Sequence, residues 1–116
     1  MNKTQPDKLL ILWTSAERDV ALKMMAMYTS NSLKQDWWKH VSLILWGPSQ
    51  KLFINDKQVQ EQVLGLKEAG ARLMACVSCS DQYGITSALR EKGLEVFGMG
   101  AVLTNWLKSD SRLITL

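Results

Sequence analysis

The sequence predicts an α/β protein: a single three-layer α/β/α sandwich around a mostly parallel five-stranded sheet. Three observations predict it. Short, continuously apolar runs recur along the chain at strand length, as in strands buried on both faces. Stretches of roughly 10–15 residues with helical spacing separate them, the pattern of β-α units. The length, 116 residues with 47% hydrophobic and 22% charged, suits one domain over residues 1–116 with its own core.

Each element has its own signal. Leu9-Leu10-Ile11-Leu12-Trp13 reads as a buried strand. Thr14 and Glu17 have capping-box spacing and start a helix over 17–33, with apolar positions Val20, Met24, Met27, Tyr28 and Leu33. Residues 41–46 form a second strand, stopped by Gly47-Pro48-Ser49. Val59, Val63, Leu64 and Leu66 mark a second main helix, closed by Gly70. Residues 72–76 are the third strand and 81–92 the third helix, closed by Gly93. A short strand at 95–97, a helix at 100–108 and a strand at 113–116 complete the chain. Ser78 or Ser80 is placed to cap the third helix. Crossovers between parallel strands are expected to be right-handed.

Charge excludes several classes. Fourteen Lys and Arg against eleven Asp and Glu leave +3, with the cations scattered. Nucleic-acid binders carry a basic stripe or arm, so no nucleic-acid partner is expected. The longest apolar runs, 9–13 and 43–46, fall far short of the ~20 residues a bilayer needs. No membrane partner is expected. Residues 1–8 are polar and lack the apolar centre of a signal peptide. A cytoplasmic protein with reduced thiols is expected.

Open parallel sheets bind ligands beyond the carboxyl ends of their strands. Here those ends bring Trp13, Thr14, Ser15, Trp46, Gly47, Cys76, Ser78, Cys79, Gly98 and Gly100 to one rim. Trp13 and Trp46 suit either a pocket wall or packing at the sheet rim. Gly98-Met99-Gly100 lacks the third glycine of a dinucleotide loop, so no cofactor is assigned. Gly47 and Gly98 suit backbone turns.

Cys76 ends the third strand, and Cys79 stands at or just before the third helix. A thiol near a helix N-terminus feels the positive dipole end, which favours thiolate, the nucleophilic form. Both cysteines also suit a bland role as small buried hydrophobes. A zinc site needs four ligands, and the chain offers two cysteines and one histidine, so no metal is assigned. A thioredoxin-type dithiol follows the first strand of its fold and faces a proline. Here the pair follows the third strand, and the prolines are Pro6 and Pro48. His40 precedes the second strand, placing it a strand's length (~20 Å) from the thiols. One reactive cysteine, with the other assisting or idle, is the remaining reading.

Five tryptophans are many for this length. Trp37-Trp38 suit subunit contact or packing under a loop. Met24, Met25 and Met27 have spacing for core and interface. Thr104 and Asn105 suit a solvated face, and Glu17 and Asp19 favour the helix start they occupy.

A strand ending Ala75-Cys76, a second cysteine at Cys79, and Gly84 eight residues after Cys76 resemble the DsrE/DsrF-like family. Residues 41–49 and Gly98-Met99-Gly100-Ala101 agree, so the resemblance covers nearly the whole chain. It implies an α/β fold and assembly into trimers or hexamers. It also implies sulfur relay as a persulfide on one cysteine, which maps to Cys76. Sulfur donor and acceptor proteins would then be partners. Cys79 has no counterpart in the relay proteins. It would attack the inner sulfur of a Cys76 persulfide, giving a disulfide and sulfide, the chemistry of a sulfur or redox sensor. The competing reading is a non-catalytic ligand-binding or assembly module with structural cysteines.

Overall fold

The structure, a computed structural model, describes residues 6–116. The first five residues of the polar start lie outside the described residues. Strands β1 (Lys8–Trp13), β2 (His40–Leu45), β3 (Arg72–Cys76), β4 (Glu95–Phe97) and β5 (Arg112–Thr115) form one sheet in the order β4-β3-β2-β1-β5. Every pairing is parallel.

That order decides which face each helix covers. A right-handed crossover puts its helix on one face when the chain steps one way along the sheet, and on the other when it steps back. The steps β1 to β2 to β3 to β4 all run the same way. Their helices cover one face: a π-helical segment (Val20–Met25) continuing into α1 (Ala26–Lys34), then α2 (Pro48–Asn55), α3 (Lys57–Glu68) and α5 (Thr86–Glu91). Only the return from β4 to β5 crosses the second face, carrying α6 (Gly100–Leu107). Alternation along β1 feeds both cores: Leu9, Ile11 and Trp13 enter the first, and Leu10 the second.

The structure corrects several sequence expectations. The first helix turns a different face inward. Its buried positions are Ala21, Met25, Ala26, Thr29 and Ser32, while Met24 is 52% and Met27 55% exposed. The π segment is the reason: Ala26 N–H bonds five residues back to the Ala21 carbonyl, and the wider turn lets neighbouring Met25 and Ala26 both face the sheet. No capping box forms. Thr14 Oγ1 donates to the Leu116 carbonyl (3.0 Å), and Ser15 Oγ accepts from Glu17 N–H (3.0 Å).

The stretch after β2 holds two helices, split at Asp56, whose carboxylate caps α3 through Val59 N–H (3.1 Å). Gly70 closes α3 as expected, with Gly70 and Ala71 N–H returning to the Lys67 and Leu66 carbonyls. The expected helix over 81–92 is also two. Helix α4 (Val77–Tyr83) starts directly at the strand end, and Gly84, at φ 70°, closes it before α5.

Candidate functional site

Cys76 is both the last residue of β3 and the N-cap of α4, so strand passes into helix with no loop between. Cys79 therefore lies inside the first turn of α4, not before it. Neither Ser78 nor Ser80 caps the helix. Ser78 is exposed, and Ser80 bonds the Val77 carbonyl (3.1 Å) and the Thr86 hydroxyl (2.5 Å).

The two thiols are free and share one apolar cluster. Cys76 is 5% exposed among Leu10, Ile44, Met74 and Met99. Cys79, Trp46 and Phe97 pack against it, and Cys79 is only partly buried. The polar groups that bear on the Cys79 thiol are the Gly47 backbone N–H, the Trp46 indole N–H and the Cys76 thiol. Burial pushes the Cys79 thiol up. The two N–H groups pull it down, and the Cys76 thiol adds to the rise. The net direction is up, so desolvation outweighs the favourable helix start.

Two side chains on the first turn of α2 fasten the rim; sequence reasoning put Ser49 at the strand end without this role and missed Gln50. Ser49 Oγ donates to the Trp13 carbonyl (2.6 Å), tying α2 to the end of β1. Gln50 is fully buried, and its Nε2 donates to the Leu45 and Cys76 carbonyls, each at 3.0 Å. Those carbonyls end β2 and β3, whose ladder stops at Leu45–Ala75. Gln50 thus fixes the segment carrying Trp46 and Gly47 against the segment carrying the thiols. A single polar residue inside a helical turn gives no periodic signal. The one available clue was Pro48, which starts a helix and brings the next residues toward the strand ends.

The predicted rim residues separate into two groups. Trp46 and Gly47 on one side of Cys76, and the turn after Phe97 on the other, lie at the ends of neighbouring strands. Gly98 and Gly100 flank buried Met99, with open space where a Cβ would stand on either glycine. Gly47 has φ 72° and ψ −136°, a conformation open to glycine, and serves the expected turn; Gly98 has no positive φ.

Trp13, Thr14 and Ser15 stand two strands from Cys76, ~10 Å along the sheet. Trp13 is a core residue and not a pocket wall, and Thr14 is held by the chain terminus. His40 opens β2 at the opposite end of the sheet. Among the described residues no three His, Cys, Asp or Glu side chains cluster as a metal site requires, and no helix is long and apolar enough to cross a membrane.

The sequence model of the DsrE/DsrF-like family matches residues 7–116. A protein of Bacteroides thetaiotaomicron, BT1422, described as a conserved protein of unknown function, is 41% identical; the match covers 95% of each chain with a TM-score of 0.92. MTH1491 of Methanobacterium thermoautotrophicum, also of unknown function, is 13% identical, with 94% of this chain and 98% of that one covered and a TM-score of 0.76. The ychN protein of E. coli is 15% identical, with 95% and 99% covered and a TM-score of 0.72. The last two share the fold. No curated protein matches.

Proposed function

The chain belongs to the DsrE/DsrF-like family, and we propose that it handles sulfur by thiol exchange, with Cys76 as the residue that carries it. One observation supports this most: two free thiols packed in one apolar cluster at the carboxyl end of β3. A Cys76 thiolate takes the outer sulfur of a donor persulfide and hands it to an acceptor thiol. Sulfur donor and acceptor proteins are the partners this implies. Where no acceptor arrives, Cys79 attacks the inner sulfur, the Cys76–Cys79 bond forms and hydrosulfide leaves. The protein then reports sulfur or redox state. Free thiols of this kind suit the reducing cytoplasm.

We also propose self-association as trimers or hexamers. The second sheet face supports it: α6 carries Val102, Leu103, Trp106 and Leu107, yet none of its residues is buried.

Intact-mass measurement after inorganic polysulfide tests the sulfur reading. A gain of roughly 32 Da located on Cys76 is the expected result. A loss of about 2 Da locates the chemistry in the Cys76–Cys79 disulfide and favours the sensor. An unchanged mass in folded protein rejects the sulfur reading and leaves the non-catalytic assembly module.

A further inference from the structure

The second face of the sheet divides into two halves. Its carboxyl half is the apolar cluster around Leu10, Ile44 and Met74. Residues paired across parallel strands share a face, and every second residue along a strand returns to it. The pairs Lys8–His40, Ser42–Arg72 and Met74–Glu95 therefore put Lys8, His40, Ser42, Arg72 and Glu95 on that same face, toward its amino end. Each strand thus turns from polar to apolar along one face. Helix α6 is the single element crossing here, and it has eight residues. It leaves a groove of about 300 Å³ at the amino ends of β1, β2 and β3, lined by Lys8, His40, Ser42, Arg72 and Trp106. That volume is at the small end of the range for small-molecule sites.

Cations dominate the groove. A second groove of about 360 Å³ adjoins it at Gly70 and Arg72, and adds Lys67 and Glu95. Glu95 is the one carboxylate lining either groove. Arg72 Nε and Nη2 donate to its two oxygens (2.8 and 2.9 Å), which fixes the guanidinium and leaves the Nη1 side unengaged by Glu95. Ser42, 9% exposed, adds a hydroxyl at the floor. Trp106 Nε1 donates to the Arg112 carbonyl (3.0 Å), which holds the indole in place as a wall. Trp106 packs inward against the second cluster, while Leu107 is 63% exposed, so the groove and the self-association face lie on different sides of α6.

We propose that this groove binds a small organic oxyanion that carries a flat ring. Its phosphate, sulfate or carboxylate group is held by Lys8, His40 and Arg72 through charge-assisted hydrogen bonds, and its ring lies against Trp106. The site stands at the opposite end of the sheet from the thiols, a strand's length (~20 Å) away. It goes beyond the sulfur reading and does not depend on it.

The probe is phenyl phosphate, with inorganic phosphate and phenol as its two halves, each titrated into the whole chain by calorimetry. The wild type is expected to bind phenyl phosphate with a Kd of about 1 mM or tighter, and inorganic phosphate and phenol each about tenfold more weakly. Lys8→Gln weakens phenyl phosphate about tenfold. Trp106→Leu removes the advantage of phenyl phosphate over inorganic phosphate. Arg72→Gln strands Glu95, so the double variant Arg72→Gln/Glu95→Gln is measured beside it, with thermal melting as the control for folding, and weakens binding as Lys8→Gln does. Lys51→Gln, which removes a cation on α2 at the carboxyl end of the sheet, leaves binding unchanged. No binding by about 10 mM phenyl phosphate overturns the site. Wild-type affinity in both Lys8→Gln and the double variant does so too. Equal wild-type affinity for phenyl phosphate and inorganic phosphate overturns the ring contact.

Discussion

Gln50 shows how one uncharged side chain sets the geometry of a site it does not enter. Its Nε2 hydrogens go to two strand-end carbonyls, and its Oε1 is buried without a partner. A buried acceptor left unpaired costs free energy, so this position trades stability for a fixed strand separation. Gln50→Leu keeps the volume and removes both bonds, leaving the Leu45 and Cys76 carbonyls without that donor. The expected loss is about 1–3 kcal/mol, read from urea unfolding. Thiol labelling of Cys79 should change in the same variant, because the Trp46–Gly47 segment is no longer pinned. Unchanged stability together with unchanged labelling would remove Gln50 from the account.

At the scale of elements, Gly84 decides that one expected helix becomes two. The chain reverses there at φ 70°, with Gly84 and Ile85 N–H groups bonding the Asp81 and Ser80 carbonyls. An added Cβ meets nothing within 4 Å, so Gly84→Ala is a backbone test free of clashes. It should cost about 1–2 kcal/mol, with Gly84→Asn recovering part of it. The readout is the denaturant midpoint at constant slope. Equal stability of the alanine variant would show that the turn carries no such constraint. Helix α4 runs from Val77, directly after the strand, and its first turn packs Cys79 against the apolar cluster that holds Cys76.

For the whole molecule, strand order leaves the two sheet faces unequal. Three crossovers cover one face and a single helix crosses the other, where Leu107 is 63% exposed. An apolar helix with no buried residue suits a contact with a second copy of the chain. Wild-type protein should therefore sediment above its 13.1 kDa chain mass, and Leu107→Asp should move it toward that mass. Wild-type sedimentation as a monomer at micromolar concentration would sink the self-association reading. A second exposed apolar group, Met24, Met27 and Trp37, lies on the other side of the sheet. There Trp37 stacks 5.8 Å from Tyr28, and Trp38 donates to the Tyr28 hydroxyl.

The sequence alone determined the fold class, the five strands nearly to the residue, and the position of Cys76 at a strand end. These are local properties: apolar runs, glycine stops and chain order. It also placed Trp46 and Gly47 on the same rim as the thiols, because parallel strands share a carboxyl edge. Only the tertiary structure decided the rest. The first helix buries Ala21, Ala26, Thr29 and Ser32, since a π segment rotates its inner face, and helical periodicity assumes 3.6 residues per turn. Strand order excluded Thr14 and Ser15 from the thiol site, and order follows from pairings between distant segments. The packing of Cys79 and Trp46 against one cluster, and the Gln50–Cys76 clamp, join residues more than 25 positions apart. Their meeting depends on how the strands pair, which no window of sequence contains.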